Sequence, residues 1–117
     1  MANPNIVNVT SIFGKTDTFA LTTTSANLVT ATANTVFKIN SILVTNIDGT
    51  SAADVTIAYN DLTNTRSIAS TIAVPADATL SVIDKTNSFY LEEDKSIIGG
   101  ASANSDLEVV ISYEEIN

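Results

Sequence analysis

The ten residues LEVVISYEEI, Leu107 to Ile116, alternate with a period of two. Leu107, Val109, Ile111 and Tyr113 are separated by Glu108, Val110, Ser112 and Glu114, so an extended backbone puts the first set on one face and the second on the other. A half-buried strand follows. The same period recurs in TFALTTT, where Phe19, Leu21 and Thr23 share a face, in DVTIAYN, with Val55, Ile57 and Tyr59, and in RSIASTIAV, with Ile68, Ser70, Ile72 and Val74. No window carries an apolar stripe at helical spacing. With 17 Thr, 12 Ser and 12 Asn among 117 residues and little Leu, the chain favours pleated sheet over helix.

One segment breaks the period. In TVFKINSILVTN, Phe37, Ile39 and Leu43 share a face while Ile42 and Val44 take the other, which predicts a β-bulge near Asn40 and Ser41 or a strand buried on both sides at its end. Turn chemistry punctuates the chain at NIDGTS, NDLTNT, VPADA, DKTNS and GGASANSD, where Asn, Asp, Gly and Pro suit tight reversals. The expectation is an all-β fold, an antiparallel β-sandwich or jelly-roll-like domain of about eight strands over residues 17–117. Its core should include Phe37, Ile39, Ile57, Ile72, Leu80, Val109 and Ile111. Residues 1–16 read as an extended N-terminal arm, and its apolar side chains Ile6, Val7, Val9, Ile12 and Phe13 need burial. The arm is either a first strand of the same sandwich or a segment that docks on a neighbouring subunit.

Charge and missing residue types narrow the function. Five Lys and Arg stand against 13 Asp and Glu, a net charge of −8, and residues 77–117 hold nine of the acids against Lys85 and Lys95 alone. Arg66 is the single arginine, so the clustered cations that phosphate binding requires are missing and free nucleic acid is not an expected partner. With neither Cys nor His, the chain lacks disulfides, thiolate nucleophiles, the usual zinc ligands and the commonest general base. No enzyme activity and no cofactor are expected. The start has no basic segment leading into an apolar run, and no stretch of about 18 apolar residues occurs, so neither a signal peptide nor a membrane span is expected.

Four constellations invite a chemical reading. Glu92, Glu93 and Asp94 lie together in FYLEEDKSIIGG, but neighbours in an extended chain point to opposite sides, so a solvated turn is the expectation over a general acid and base pair. Asn46, Asp48, Thr50 and Asp54 are spaced like calcium ligands, yet the terminal Glu of such a loop is missing and Asp48-Gly49 signals a hairpin first. Gly99 and Gly100 have the wrong spacing for a phosphate loop and suggest a bulge or bend. Of Phe89 and Tyr90, only one can face outward.

Three blocks taken together, MANPNIVNVTSIFGKT, then VFKINSILVTNIDGTSAADVTI with IASTIAVPADATLSVI, then FYLEEDKSI with ASANSDLEVVISYEEI, resemble a family of small structural proteins in the virions of tailed bacteriophages, especially marine cyanophages. The resemblance spans nearly the whole chain; Lys95 stands where such segments often carry Ser or another small residue. It implies a β-sandwich accessory subunit of the virion, assembled in the host cytoplasm, with no catalytic residue. A capsid decoration or cement subunit is the expectation, bound to the major capsid protein as a homo-oligomer, with a trimer implied by analogy alone. A tail, neck or fibre-associated subunit and a carbohydrate- or calcium-dependent adhesive module stay open as alternatives.

Overall fold

A computed structural model describes residues 2–117. It contains nine strands: β1 (Ile12–Ala20), β2 (Ala26–Thr30), β3 (Val36–Asn46), β4 (Ala53–Asn60), β5 (Thr65–Val74), β6 (Thr79–Ile83), β7 (Phe89–Leu91), β8 (Ser96–Ala101) and β9 (Leu107–Ile116). One 3-10 turn, Lys85–Asn87, is capped by the Asp84 carboxylate, which accepts from the Thr86 amide. The strands form two antiparallel sheets, one in the order β1-β9-β3-β6 with β7 also pairing β3, the other in the order β2-β8-β4-β5.

Pairs β1·β9, β2·β8, β3·β6 and β4·β5 are the rungs of one long hairpin whose tip is the β4–β5 turn. Rolled into two facing layers, that hairpin is a jelly roll, with the three-residue β7 as an addition. The tip is set by Asp61, whose Oδ1 accepts from the Thr63 amide at 3.0 Å and the Asn64 amide at 2.6 Å.

Between the layers lie the inward residues of each strand. β9 contributes Leu107, Val109, Ile111 and Tyr113, all buried, as its alternation predicts. β3 contributes Phe37 and Ile39, then Ile42 and Val44. The change of phase is a bulge: Ile39 pairs with Tyr113 and Ser41 with Ser112, which leaves Asn40 as the extra residue. Asn40 Nδ2 donates to Glu114 Oε2 at 3.0 Å, tying the bulge to β9. Leu43 therefore turns to the outer face, and the Phe37 ring stacks on Tyr113 with centroids 4.7 Å apart.

Two expected core residues are less enclosed than predicted. Ile72 pairs with Val55 and Leu80 with Val44, so both face the core side, but they sit on β5 and β6 at the sheet edges, where Ile72 keeps 40% of its surface. In β5 the period also breaks. Ile72 opposes Val55 and Ala69 opposes Ile57, so a bulge at Ser70 and Thr71, with Thr71 at φ 46°, brings Ala69 inward in place of Ser70 and Ile68.

Gly99 and Gly100 form no bend. They lie in regular register with Ile57 and Thr56 in the middle of β8. The bulge is in the neighbouring strand: Asn27 pairs with Ile98 and Val29 with Ile97, which leaves Leu28 extra. A Cβ at Gly99 would lie 2.6 Å from Leu28 Cδ1, and one at Gly100 would lie 2.7 Å from Ser25 Oγ. The glycines serve close approach. Asp48-Gly49 likewise closes no hairpin, because β3 and β4 lie in different sheets. The buried Asn46 amide shapes that corner by donating to the carbonyls of Ser51 at 3.0 Å and Val74 at 2.9 Å.

Ile111→Ala should cost about 2–5 kcal/mol of unfolding free energy, read from urea denaturation, since Ile111 is fully buried between the layers. Gly99→Ala should cost about 1–3 kcal/mol by overpacking against Leu28, and trimming Leu28 to Ala in the same chain should recover part of that loss.

Candidate interaction surface

The Glu92–Asp94 cluster lies between β7 and β8, and two of its carboxylates, those of Glu92 and Glu93, hold chain segments together. Glu92 Oε2 accepts from Lys95 Nζ at 2.6 Å, and its Oε1 accepts from Asn3 Nδ2 at 3.0 Å. The Glu93 carboxylate accepts from the Asn34 amide, while the Glu93 amide donates to Asn3 Oδ1 at 2.7 Å. Asp94 takes a left-handed φ of 66°, and its amide donates to the Ala31 carbonyl at 2.9 Å. All three residues are half-buried. The expected turn is present, with 45% of the Glu92 side chain still open to solvent, and it serves in addition as a junction that joins the N-terminal segment, the 31–35 loop and the β7–β8 turn. The Lys95 ammonium bond, with the Lys95 charge next, holds the Glu92 carboxyl below its ordinary range.

In the 46–54 corner the polar side chains bond their own loop. Asp48 Oδ1 accepts from the Thr50 amide and hydroxyl, both at 2.9 Å, and these two bonds hold its carboxyl below the usual range. The Asp48 amide donates to Asn46 Oδ1 at 2.9 Å. Asp54 sits on β4, where its amide donates to Ser102 Oγ at 2.8 Å. Among the described residues no group of three His, Cys, Asp or Glu side chains is placed to hold a metal ion.

Of the aromatic pair on β7, Phe89 packs edge-on against Tyr59 with centroids 5.9 Å apart, and Tyr90 faces out. Tyr90 borders a shallow surface pocket with Asn3, Pro4, Ile6, Val36 and Glu92. Val36 is adjacent to the inward Phe37 and so points to the outer face, yet only 4% of it is exposed. Pro4 and Ile6 stand beside it, so residues 2–11 fold back over this end of their own sheet.

The five apolar residues expected to form an arm therefore divide. β1 starts at Ile12 and crosses the 16/17 boundary, so Ile12 and Phe13 belong to a strand paired with β9, opposite Ile116 and Glu115. Ile6, Val7 and Val9 lie in the strandless segment before it. Val9 is half-buried, Ile6, Ile12 and Phe13 keep 49%, 55% and 52% of their surface, and Val7 keeps 91%. The result is an apolar rim around the start of β1. Two groups on its inner face escaped the sequence reading: Lys15 Nζ lies 2.9 Å from Glu115 Oε2, and Tyr113 Oη donates to Asp17 Oδ2 at 2.7 Å. Burial first, then the Asp17 bond, drives the Tyr113 phenol far above its ordinary range. The available signal was the KTD triplet inside an otherwise uncharged strand.

No protein-family model and no curated protein sequence matches the chain. Among solved structures it is similar to a chain in the acidic stable capsid structure of Helicobacter pylori bacteriophage KHP30, with a TM-score of 0.57 and 9% identity, over 94% of this chain and 90% of that one. That likeness shows a shared fold across almost the full length of both chains.

Asn3→Ala should remove at once both side-chain bonds that tie Asn3 to the β7–β8 turn. Hydrogen exchange at the Glu93 amide should then speed up, while amides in the middle of β9 keep their protection. Acid should act similarly. Because the Glu92 carboxyl is lowered on folding, its contribution is present above the ordinary value of 4.5 and is lost as pH falls through the lowered one. Glu93 amide protection measured from pH 6 downward should fall in that window, and the fall should be blunted in Glu92→Gln.

Proposed function

We propose that the chain is a non-enzymatic structural subunit of a tailed-bacteriophage virion, and that it decorates or cements the capsid by binding the outer face of the major capsid protein. The observation that carries this reading is the likeness to a phage capsid chain over 94% of this chain. The resemblance of the three sequence blocks to small virion proteins points the same way. The site chemistry agrees: the Glu92 carboxylate is bonded to Asn3 and Lys95 and the Glu93 carboxylate to the Asn34 amide, a structural use of both that suits a chain acting by surface contact.

The contact we assign is the apolar rim of Ile6, Val7, Val9, Ile12 and Phe13. Ile6, Val7, Ile12 and Phe13 are four of the nine large exposed apolar side chains among the described residues, and such a concentration within one short stretch marks a docking site. The acidic balance keeps such a subunit from adhering to packaged DNA. In this reading the protein works as a homo-oligomer on the particle, and a tail, neck or fibre position is the competing outcome.

Mixing the purified chain with capsids that lack it, followed by cryo-electron microscopy, tests the assignment. Density on the outer capsid surface is the expected result, and binding confined to tails or necks would overturn the capsid position. Val7→Asp and Ile6→Asp should each weaken capsid binding by about tenfold or more while leaving the melting temperature near that of the parent chain, because both side chains are exposed in the free subunit.

A further inference from the structure

β1 is the outermost strand of its sheet and pairs on one side only, with β9. A sheet edge is a row of unpaired donors and acceptors, and folded proteins blunt such edges with bulges, short strands or covering segments. Three of the outer strands here follow that rule. β5 carries bulges at Ile68 and at Ser70–Thr71, β2 has five residues and a bulge at Leu28, and β6 has five residues. β1 does not: it runs nine residues in unbroken register with β9, and every residue from Ile12 to Thr16 is exposed.

Hydrogen-bond parity shows which groups are open. The amides of Ser11 and Asn117 each donate to the other's carbonyl at 3.0 Å, and the Leu21 amide donates to the Leu107 carbonyl at 2.9 Å. In an antiparallel ladder the bonded positions recur every second residue, so the odd residues of β1 bond β9. The amides and carbonyls of Ile12, Gly14, Thr16, Thr18 and Ala20 therefore point away from the sheet.

From this edge we infer that two copies of the chain join β1 to β1 in antiparallel fashion about a two-fold axis through Thr16. Even positions must meet even positions for the open groups to bond, which restricts the registers. Centring on Lys15 sets Lys15 against its own copy, and centring on Asp17 sets Asp17 against its own copy; like charges directly opposed are destabilising. Centring on Thr16 sets Lys15 opposite Asp17 twice, Phe13 opposite Phe19 twice, Gly14 opposite Thr18 and Ile12 opposite Ala20. The strand ends coincide in that register, because Ile12 and Ala20 are equally distant from Thr16. All five outward residues then pair, giving about ten inter-chain backbone hydrogen bonds. The exposed Ile12 and Phe13 gain cross-strand neighbours, and the contact is self-complementary, as a two-fold interface must be.

This inference does not rest on the virion role, and the isolated full chain tests it. Sedimentation velocity at tens of micromolar should show a dimer. Thr16→Pro removes an amide that points away from β9, so the variant should keep its β-sheet circular dichroism and sediment as a monomer. The chain has no cysteine, so introduced thiols report the register directly. Thr16→Cys should cross-link to itself on mild oxidation, a mixture of Gly14→Cys and Thr18→Cys should cross-link as a heterodimer, and Gly14→Cys alone should not. A monomer at every concentration, a trimer, or self-linking Gly14→Cys would overturn the proposal. Should Thr16→Pro fail to fold, the cysteine set decides.

Discussion

The pairing of β9 with β3 is the interaction on which the rest of the structure depends. β9 lies between β1 and β3, and its four inward side chains meet the inward row of β3 along almost the whole length of both strands. That meeting works only because Asn40 is extra. Without the bulge, either Phe37 and Ile39 or Ile42 and Val44 would face water, since a one-residue slip exchanges the faces of a strand. The bulge also reaches the N-terminal end of the molecule, because it sets which of Val36 and Phe37 points outward and hence what residues 2–11 must cover.

At the far side of β9 the consequences differ. β1 is held by nine residue pairs but adds little to the core beyond Phe19, so much of its surface on both faces stays open. The charged residues on it are bonded to β9 rather than spread into solvent, Lys15 to Glu115 and Asp17 to Tyr113. Such pairs orient the inner face of the edge and contribute modestly to stability, as partly exposed ion pairs do. A strand that is well ordered yet poorly buried suits assembly, because little ordering cost is left for a partner to meet.

The acidic junction has a similar logic. Glu92 and Glu93 offer carboxylate oxygens to Asn3, Lys95 and the Asn34 amide, and the turn they sit on presents its own amide to Asn3. Residues far apart in the chain are thereby fastened at one end of the sandwich, next to the apolar rim. For the proposed capsid contact, this means that the docking segment is positioned before it meets its partner.

Sequence alone settled much of the architecture. The alternation in Leu107–Tyr113 and Val55–Tyr59 dictates strands and their buried faces, and the broken period at Asn40 and Ser41 locates the β3 bulge, because side-chain direction along an extended backbone follows from parity. The lack of Cys and His removed whole classes of chemistry in the same local way. What depends on the meeting of distant segments was decided only by the tertiary structure. Ile72 and Leu80 have core parity but lie on edge strands, and edge position follows from sheet order. Gly99 needs its missing side chain because Leu28, 71 residues away in the chain, fills that space. Glu92 looks like a surface charge until Asn3 is brought beside it. The openness of β1 is also a property of order, since the identical nine residues placed between two strands would present no edge at all.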